Sequence, residues 1–386
     1  MRRIRTYLLL LATLLLGACD GLDRPFVGTF DQVLIYYGMG YNDLQSNLRQ
    51  NIKDLQRDVL PALRNDKAIL AFLHTPASPG DYNTPNPPVL MRIYRGRDGK
   101  PVCDTLRTYP DITVSASAES LRRVMNEIRE EFPARRYGMV VSSHGSGWLP
   151  PDYKNNKQLS AIGEQRVGTG ERWIELPDLP AAIPYHLDYL ILDVCLSGCV
   201  EVAWELRDVT DQLIISPAEI LRAGMGYSIL SWDVFAYAEP DFHTYCQQFY
   251  DYYVDNGGGT IALVDCKQLE PLAEAFRDIV EAHRSALNYN TLSRSVQRYF
   301  YSSTPLTFFY DLRDLAAQLG ASPDELARLD AALDAAVPCH YETDTFFDLH
   351  LDRCCGLSVY LPDPSRPTLN AYYKTLDWNK VVGLVQ

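Results

Sequence analysis

The sequence predicts an α/β protein: a mostly parallel β-sheet with helices on both faces, plus a smaller, mainly helical C-terminal subdomain. Apolar runs of strand length alternate with longer segments of helical period, and the runs are nearly unbroken, as in strands covered on both faces. From about residue 270 the chain becomes more helical. With 386 residues, 47% of them apolar, it can bury a substantial core.

The alternation begins with the run VLIYYGM at residues 33–39. Apolar residues then recur at helical spacing, namely Leu44, Leu48, Ile52, Leu55 and Val59. A second helical stripe is formed by Leu121, Val124, Met125 and Ile128. Further strand-length runs lie at residues 69–74, 89–95, 139–144, 189–195, 212–216 and 260–266. A repeated strand and helix order of this kind indicates an α/β sheet.

The C-terminal part carries an explicit helix start. Ser322 is the predicted N-cap, Pro323 takes the first helical position and Glu325 completes a capping box. One apolar stripe follows, made of Leu326, Leu329, Leu333 and Val337. A late strand at residues 356–362 is a candidate to return to the main sheet. Residues 150–172, rich in polar residues and without a sustained period, predict an exposed loop.

The N-terminus resembles a bacterial lipoprotein signal. Three arginines precede an apolar run, and small residues lead directly to Cys19. The run is too short for a comfortable membrane span; a plain signal or a short anchor with a chance cysteine is the alternative. We expect residues 1–18 to be the signal peptide and 19–27 a tether, with Cys19 lipidated and the protein in the cell envelope, periplasmic or surface-exposed.

Charge and cysteine content narrow the function classes. The net charge is −13, and no Lys/Arg cluster could follow a phosphate backbone, so we expect no nucleic-acid partner. Eight of the nine cysteines lie beyond Cys19 without a repeating disulfide spacing. Cys339, His340, Cys354 and Cys355 lack the short ligand spacing of zinc sites. We expect mostly buried thiols and no bound metal.

Two predicted strands each end in a reactive side chain. His144 closes the run in MVVSSHGSGWLP, and Cys195 closes the run in YLILDVC. Since the carboxyl ends of parallel strands share one edge of the sheet, we expect both side chains at the same rim. A helical segment after Cys195 predicts a thiol near a helix N-terminus, where its pKa would be lowered.

This pair is suited to acyl transfer. An imidazole can serve as proton donor and acceptor around an attacking sulfur. Gly145 and Gly147 allow a close backbone approach to substrate, and the amides of Gly145 and Cys195 are candidates for an oxyanion hole. The alternative for both side chains is a structural role, as a hydrogen-bonded histidine and a packed cysteine.

Together the two motifs, His-Gly-Ser-Gly-Trp at 144–148 and Asp-Val-Cys-Leu at 193–196, resemble the clostripain family of cysteine peptidases, which is related in fold to caspases, gingipains and legumain. Segments at 42–44, 200–207, 214–219, 262–269 and 356–362 sit in family order. The resemblance implies a caspase-like peptidase core over residues 28–270 and a C-terminal subdomain over 271–386.

Residue roles follow from this resemblance. It implies a dyad of Cys195 as nucleophile and His144 as general acid and base, with no obligatory third residue. Asp193 matches a family acid of the S1 pocket, which implies cleavage after Arg or Lys. Glu219 supplies a second acid or pairs with Arg222, because the stretch after it departs from the family pattern.

The family also implies activation by a cut between the catalytic histidine and cysteine. Residues 150–172 offer basic candidates at Lys154, Lys157, Arg166 and Arg172. Some relatives need calcium, but no EF-hand-like ligand series is present, so we expect no cofactor and leave calcium open.

Two other functions compete with a peptidase. One is a catalytically inactive, lipid-anchored protein that binds peptide or glycan. This alternative is supported by the altered stretch at 220–227 and by the 25 tyrosines. The other is a thiol-disulfide oxidoreductase, which lacks its usual Cys-x-x-Cys motif here. The presence of both His144 and Cys195 favours the enzyme, acting on a polypeptide substrate.

Overall fold

A computed structural model describes residues 28–58, 66–96, 98–150, 162–167, 170–230, 234–235, 239–300 and 307–386. The residues expected to form the signal peptide and the tether lie outside the described residues, as do Cys19, Val59, Lys154 and Lys157.

The strands and helices follow the predicted alternation. The strands are β1 (Phe30–Met39), β2 (Lys67–His74), β3 (Val89–Arg95), β4 (Pro101–Thr108), β5 (Ala134–Ser142), β6 (Ile162–Val167), β7 (Gly170–Ile174), β8 (Leu187–Asp193), β9 (Thr210–Ile215), β10 (Thr260–Asp265), β11 (Arg298–Phe300), β12 (Thr307–Asp311), β13 (Cys339–Glu342), β14 (Thr345–Phe346), β15 (Leu349–His350) and β16 (Ser358–Val359). The helices are α1 (Gln45–Asp58), α2 (Ala118–Glu131), α3 (Leu179–Ala182), α4 (Val200–Leu206), α5 (Tyr227–Leu230), α6 (Phe242–Val254), α7 (Leu269–Ala282), α8 (Tyr289–Ser295), α9 (Leu312–Gln318), α10 (Pro323–Ala336), α11 (Pro367–Tyr373) and α12 (Asp377–Val382).

Nine strands form the central sheet, in the order β13-β10-β9-β8-β5-β1-β2-β3-β4. The five strands in the middle, β9 to β2, run parallel, whereas each of the two outer strands at either edge pairs antiparallel with its inner neighbour. The α/β fold class with its mostly parallel sheet is therefore confirmed. On one edge, β3 and β4 are joined by a short connection, which an antiparallel pair allows without a crossover helix.

Helices cover both faces of this sheet, which buries alternate residues of each central strand on opposite sides. In β1, Val33 and Ile35 pack in one apolar core while Leu34 and Tyr36 pack in the other. Helices α2, α4 and α7 contribute to the first core, and α1 and α6 to the second. The capping box at Ser322 is also present, at the start of α10.

Two local predictions are wrong. Of the expected loop 150–172, residues 151–161, 168 and 169 lie outside the described residues, and residues 162–167 and 170–172 belong to β6 and β7, which form an antiparallel hairpin. Its Glu164 and Gln165 are buried, and Gln165 Oε1 accepts the Ser115 amide at 2.6 Å. Polar residues are buried here because they have such partners, so the segment shows no apolar period.

The late strand does not join the main sheet: β16 pairs with β12 in a separate three-stranded sheet. The C-terminal strand that returns to the main sheet is instead β13, which pairs with β10. The division of the chain at residue 270 remains a prediction.

The described residues contain neither a disulfide bond nor a candidate membrane-spanning helix. The eight cysteines there are free, with Cys199, Cys246, Cys266 and Cys355 buried. In this part of the chain no helix is long and apolar enough to cross a membrane.

Candidate active site

Strands β5 and β8 place His144 and Cys195 at one rim of the sheet. Ser142 and Asp193 are register partners in this parallel pair, so each of the two reactive residues lies two positions beyond an aligned pair. His144, Cys195, Asp193 and Glu219 all line one cleft, with a volume of ≈ 360 Å³. Gly145 is buried beside His144 and pairs with Ile162 of β6.

Cys195 lies in a turn rather than at a helix N-terminus, so that expectation is wrong. Helix α4 begins only at Val200, with Cys199 as its N-cap residue. The Ile220 amide donates to Cys195 Sγ at 3.4 Å. Burial, together with the charges of the Glu219 and Asp193 carboxylates, nevertheless raises the pKa of the Cys195 thiol to about 12. The thiol is therefore neutral near pH 7 in this conformation.

Close backbone contacts hold this turn. The Leu196 amide donates to the Ala218 carbonyl at 3.0 Å. On the other side, Gly147 has a φ of 61°, and a Cβ there would lie 2.6 Å from the Leu196 carbonyl oxygen. The second glycine of the His144 motif therefore supports the cysteine turn. Gly147 thus approaches the cysteine turn closely, whereas the sequence suggested a close approach of its backbone to substrate.

Asp193 lies at the base of the cleft and is 6% exposed. Its Oδ2 accepts hydrogen bonds from Ser142 Oγ at 2.7 Å and from Tyr227 OH at 2.5 Å. Gly224 packs against the carboxylate, where a Cβ would lie 2.9 Å from Oδ2. Burial raises the pKa of Asp193, whereas its hydroxyl donors act in the opposite direction.

Asp43 is a site residue that sequence reasoning did not single out. His144 Nε2 lies 3.0 Å from Asp43 Oδ1. Arg166 Nη2 contacts the same oxygen at 3.0 Å, and Arg222 Nη2 contacts Oδ2 at 3.0 Å. The hydrogen bond from His144, followed by the charges of His144 and Arg166, holds the pKa of Asp43 well below its usual range. Asp43 is therefore ionised at neutral pH.

Comparison with known proteins shows the family to which the chain belongs. The model of the Clostripain family matches residues 90–382. The chain belongs to the clostripain family. It is accordingly a cysteine peptidase, and the recognition made from the two motifs is confirmed. Comparison with curated proteins gives no match.

Solved structures of clostripain-type proteases share its fold. An inactive zymogen C11 protease from Parabacteroides distasonis is 27% identical, with a TM-score of 0.79 over 92% of this chain and 99% of that one. A secreted C11 cysteine protease from Bacteroides thetaiotaomicron, iotapain, is 26% identical, with a TM-score of 0.77 over 92% of this chain and 100% of that one. A secreted C11 cysteine protease from the same organism, in complex with an irreversible peptide inhibitor, shares the fold at 23% identity and a TM-score of 0.77, over 91% and 98% of the two chains.

In this clostripain-family chain, the buried Asn42 fixes the backbone beside Asp43. Its Nδ2 donates to the Met39 carbonyl at 3.0 Å and to the Glu164 carbonyl at 2.7 Å. Ser143 Oγ also donates to the Met39 carbonyl, at 2.7 Å. The segment NDL at 42–44 did contribute to the resemblance, but its contact with His144 depends on the adjacency of β1 and β5, which are far apart in the chain.

The pairing with Asp43 determines which nitrogen of His144 carries the proton. An ionised carboxylate only accepts hydrogen bonds, so Nε2 must be the donor. In the neutral ring, Nδ1 is then the unprotonated nitrogen. Among the described residues His144 makes no hydrogen bond to Cys195, and catalytic hydrogen bonds of this kind often tighten only when substrate binds.

Arg222 lies where the sequence departs from the family pattern. It is exposed and lines the cleft, and its guanidinium binds Asp43. Glu219 lines the same cleft and is half-buried. Among the described residues no group of three or more His, Cys, Asp or Glu side chains is arranged to hold a metal ion.

Proposed function

We propose that this peptidase hydrolyses peptide bonds of a polypeptide substrate through a dyad of Cys195 and His144. The observation that carries the proposal is the shared cleft at the ends of β5 and β8, where the two residues follow aligned strand positions. A thiol and an imidazole at one rim are the two groups that acyl transfer through a cysteine nucleophile requires.

The chemistry begins with a proton transfer from Cys195 Sγ to Nδ1 of His144. The thiolate attacks the scissile carbonyl carbon, and the amides of Gly145 and Cys195 hold the resulting oxyanion. The imidazolium then donates the proton to the departing amine, which leaves an acyl-enzyme. Water, deprotonated by His144, hydrolyses this thioester and restores both residues.

Asp43 acts as a positioning residue for His144 in this mechanism. Its 3.0 Å contact with Nε2 holds the ring with Nδ1 available for the thiol. Its negative charge also stabilises the imidazolium that forms during attack. Arg166 and Arg222 keep the carboxylate ionised and in place.

We propose that the substrate residue before the scissile bond is Arg or Lys, with Asp193 as its partner. A buried carboxylate attracts a cationic side chain strongly, because little solvent screens it. The Ser142 and Tyr227 hydroxyls are neutral donors, so they leave the negative charge of Asp193 uncompensated. Glu219 is the candidate for a second acid in the same pocket.

Activation is proposed to require a cut between His144 and Cys195. The neutral thiol of Cys195 suits a latent form, and a relative of the same fold is an inactive zymogen. Of the four basic candidates, Arg166 and Arg172 lie in the β6-β7 hairpin, where Arg166 is bound to Asp43. We therefore place the cut after Lys154 or Lys157.

A double variant tests this activation step. Wild-type protein should convert to two fragments as activity appears, whereas Lys154→Ala/Lys157→Ala and Cys195→Ala should stay intact. Intact mass spectrometry and peptide hydrolysis, followed together, give the comparison. Full activity from uncut wild-type protein contradicts the proposal.

Export and lipidation of Cys19 form a separate proposal. The sequence pattern of residues 1–19 supports it, and iotapain, a relative, is a secreted protease. Mass spectrometry of membrane-extracted protein should find a lipid on an N-terminal Cys19. A Cys19→Ala variant should lose membrane association while keeping its peptidase activity.

A peptide library varied at the residue before the scissile bond tests the peptidase. The protein lacking residues 1–19 should cleave after Arg or Lys, and Cys195→Ala should not. Cysteine-dependent cleavage after other residues would keep the enzyme and reject the role of Asp193. Absence of cleavage, even after nicking of residues 150–172 and addition of calcium, would favour the inactive protein that binds peptide or glycan.

A further inference from the structure

A second groove adjoins the catalytic cleft, and the two share Phe347 as a lining residue. The groove, ≈ 470 Å³ in volume, lies between the C-terminal end of α6 and the small β14-β15 hairpin. Val254 of the helix and Phe347 of the hairpin supply apolar surface, with Tyr250 also lining the groove. A polypeptide extending from the scissile bond could therefore continue from the cleft into this groove.

Phe347 is an unusual residue for an exposed turn. Its side chain is 55% exposed, and its φ of 50° is in the left-handed region that favours glycine. The neighbouring Phe346 is buried, and its ring lies edge-on to Phe347 with a centroid distance of 4.8 Å. Neither burial nor backbone preference accounts for a phenylalanine at this position, which points to a role in binding.

Two large exposed apolar side chains line this groove. Large apolar side chains are exposed at four of the described positions: Phe347 and Val254, at 51%, line the groove, whereas Tyr252 of α6, at 49%, does not. The fourth, Leu106, lies on the edge strand β4 at 40% exposure. Clustered exposed apolar surface is typical of a binding site, whereas isolated residues such as Leu106 are ordinary.

The two walls of the groove are fixed to each other. Gly258 follows α6 with a φ of 88°, and a Cβ there would lie 2.3 Å from the Thr345 carbonyl oxygen. The Gly259 amide donates to Thr343 Oγ1 at 3.0 Å. The groove is therefore preformed, as ligand sites usually are.

Helix α6 also connects the groove to the specificity pocket. Tyr253 OH donates to the Gly224 carbonyl at 2.7 Å, and Gly224 packs against the carboxylate of Asp193. One rigid element thus supports both the groove and the wall of the pocket that receives the substrate side chain.

We propose that this groove is a second substrate site, which takes a large apolar side chain of the polypeptide beyond the residue bound by Asp193. The proposal rests on the peptidase function proposed above. Two exposed carboxylates, Asp255 and Asp344, line the same groove and favour a basic residue next to the apolar one. The groove then makes the enzyme prefer substrates with particular residues at a distance from the scissile bond.

Matched peptides test the groove. Each carries Arg before the scissile bond, and a single Phe replaces Ser at successive positions on either side. Wild type should prefer Phe at one position by about tenfold in kcat/KM. Phe347→Ala should reduce this preference, measured as the ratio of kcat/KM for the Phe and Ser peptides, to within about twofold to threefold. Leu106→Ala is the control and should behave as wild type.

A binding measurement separates this proposal from the peptidase proposal. The preferred peptide, or the full Phe-scan set when nothing is cleaved, is titrated into Cys195→Ala, with and without Phe347→Ala, by fluorescence anisotropy. Weaker binding on loss of Phe347, for a Phe-containing peptide only, supports the groove even when turnover is absent. Equal affinities, or an unchanged Phe preference in Phe347→Ala, would overturn it.

Discussion

Replacement of Asp193 by Asn should remove the preference for a basic residue while leaving the catalytic pair intact. The two side chains have nearly the same shape, and the Asn side-chain oxygen can still accept from Ser142 and Tyr227, which donate to Oδ2 at 2.7 and 2.5 Å. The negative charge is what changes. Its loss acts on the substrate cation; it also removes one of the charges that raise the pKa of Cys195, an effect that both peptides share.

The burial of Asp193 determines the size of the effect. At 6% exposure the carboxylate is poorly screened, so removing one partner of the ion pair costs about 3 kcal/mol. Since about 1.4 kcal/mol corresponds to a factor of ten, kcat/KM for an Arg peptide should fall roughly 150-fold. A matched peptide with a neutral residue should change by less than about threefold.

The assay compares kcat/KM for the two peptides across pH. Because both substrates use the same dyad, effects of pH on the dyad cancel in the ratio of the two kcat/KM values. Burial raises the pKa of Asp193, and only its ionised form attracts Arg, so the wild-type ratio should rise with pH through that raised pKa. Asp193→Asn should show a low, flat ratio.

Glu219→Gln is the matched control for Asp193, since it removes the other carboxylate of the cleft. It should lower the Arg rate by less than about tenfold, because Glu219 is less buried. Equal losses on both peptides in Asp193→Asn would refute the reasoning, as would a retained Arg preference.

Three further substitutions have expected outcomes. Asp43→Asn should lower kcat about tenfold to hundredfold with little change in KM, because His144 loses the partner that fixes its tautomer. A fall in kcat that is accompanied by a matching fall in the free energy of unfolding would indicate a merely structural role. Gly147→Ala should lower the free energy of unfolding in urea by about 2 to 4 kcal/mol, since a Cβ would lie 2.6 Å from the Leu196 carbonyl oxygen at a φ of 61°; unchanged stability would contradict the close contact. Burial raises the pKa of Glu201 to about 7, above its value in the unfolded chain. The protonated side chain therefore contributes its full stability at low pH, and this contribution is lost as the pH rises to about 7. Glu201→Gln should remove roughly 3 kcal/mol of this pH dependence, and an unchanged dependence of the free energy of unfolding on pH would exclude the assignment.

Much of the sheet could be predicted because its central strands are buried on both faces. The runs at 33–39, 69–74 and 189–195 are nearly continuous apolar segments, and each overlaps a strand. The edge strand β4 escaped prediction because its residues are largely exposed and polar. The periodicity of apolar residues indicates which residues are buried but not the direction of a strand, so the antiparallel pairing at the sheet edges could not be predicted either.

For the site, the sequence indicated which residues meet but not how they are held. His144 and Cys195 end strands, and parallel strands end at one rim. The turn that separates Cys195 from α4 depends on the close approach of Gly147 and of residues 216–218, which no local pattern reveals. Asp43 was missed for the same reason, because its contact with His144 arises from strand adjacency.

Covalent labelling of Cys195 tests the central claim most directly. The activated protein is incubated with a thiol-reactive peptide inhibitor ending in Arg, and the adduct is located by peptide mass spectrometry while hydrolysis is followed. The account predicts one adduct, on Cys195, in step with loss of activity, and much slower labelling in His144→Ala. Continued hydrolysis with Cys195 fully modified, or inactivation through another cysteine, would contradict it.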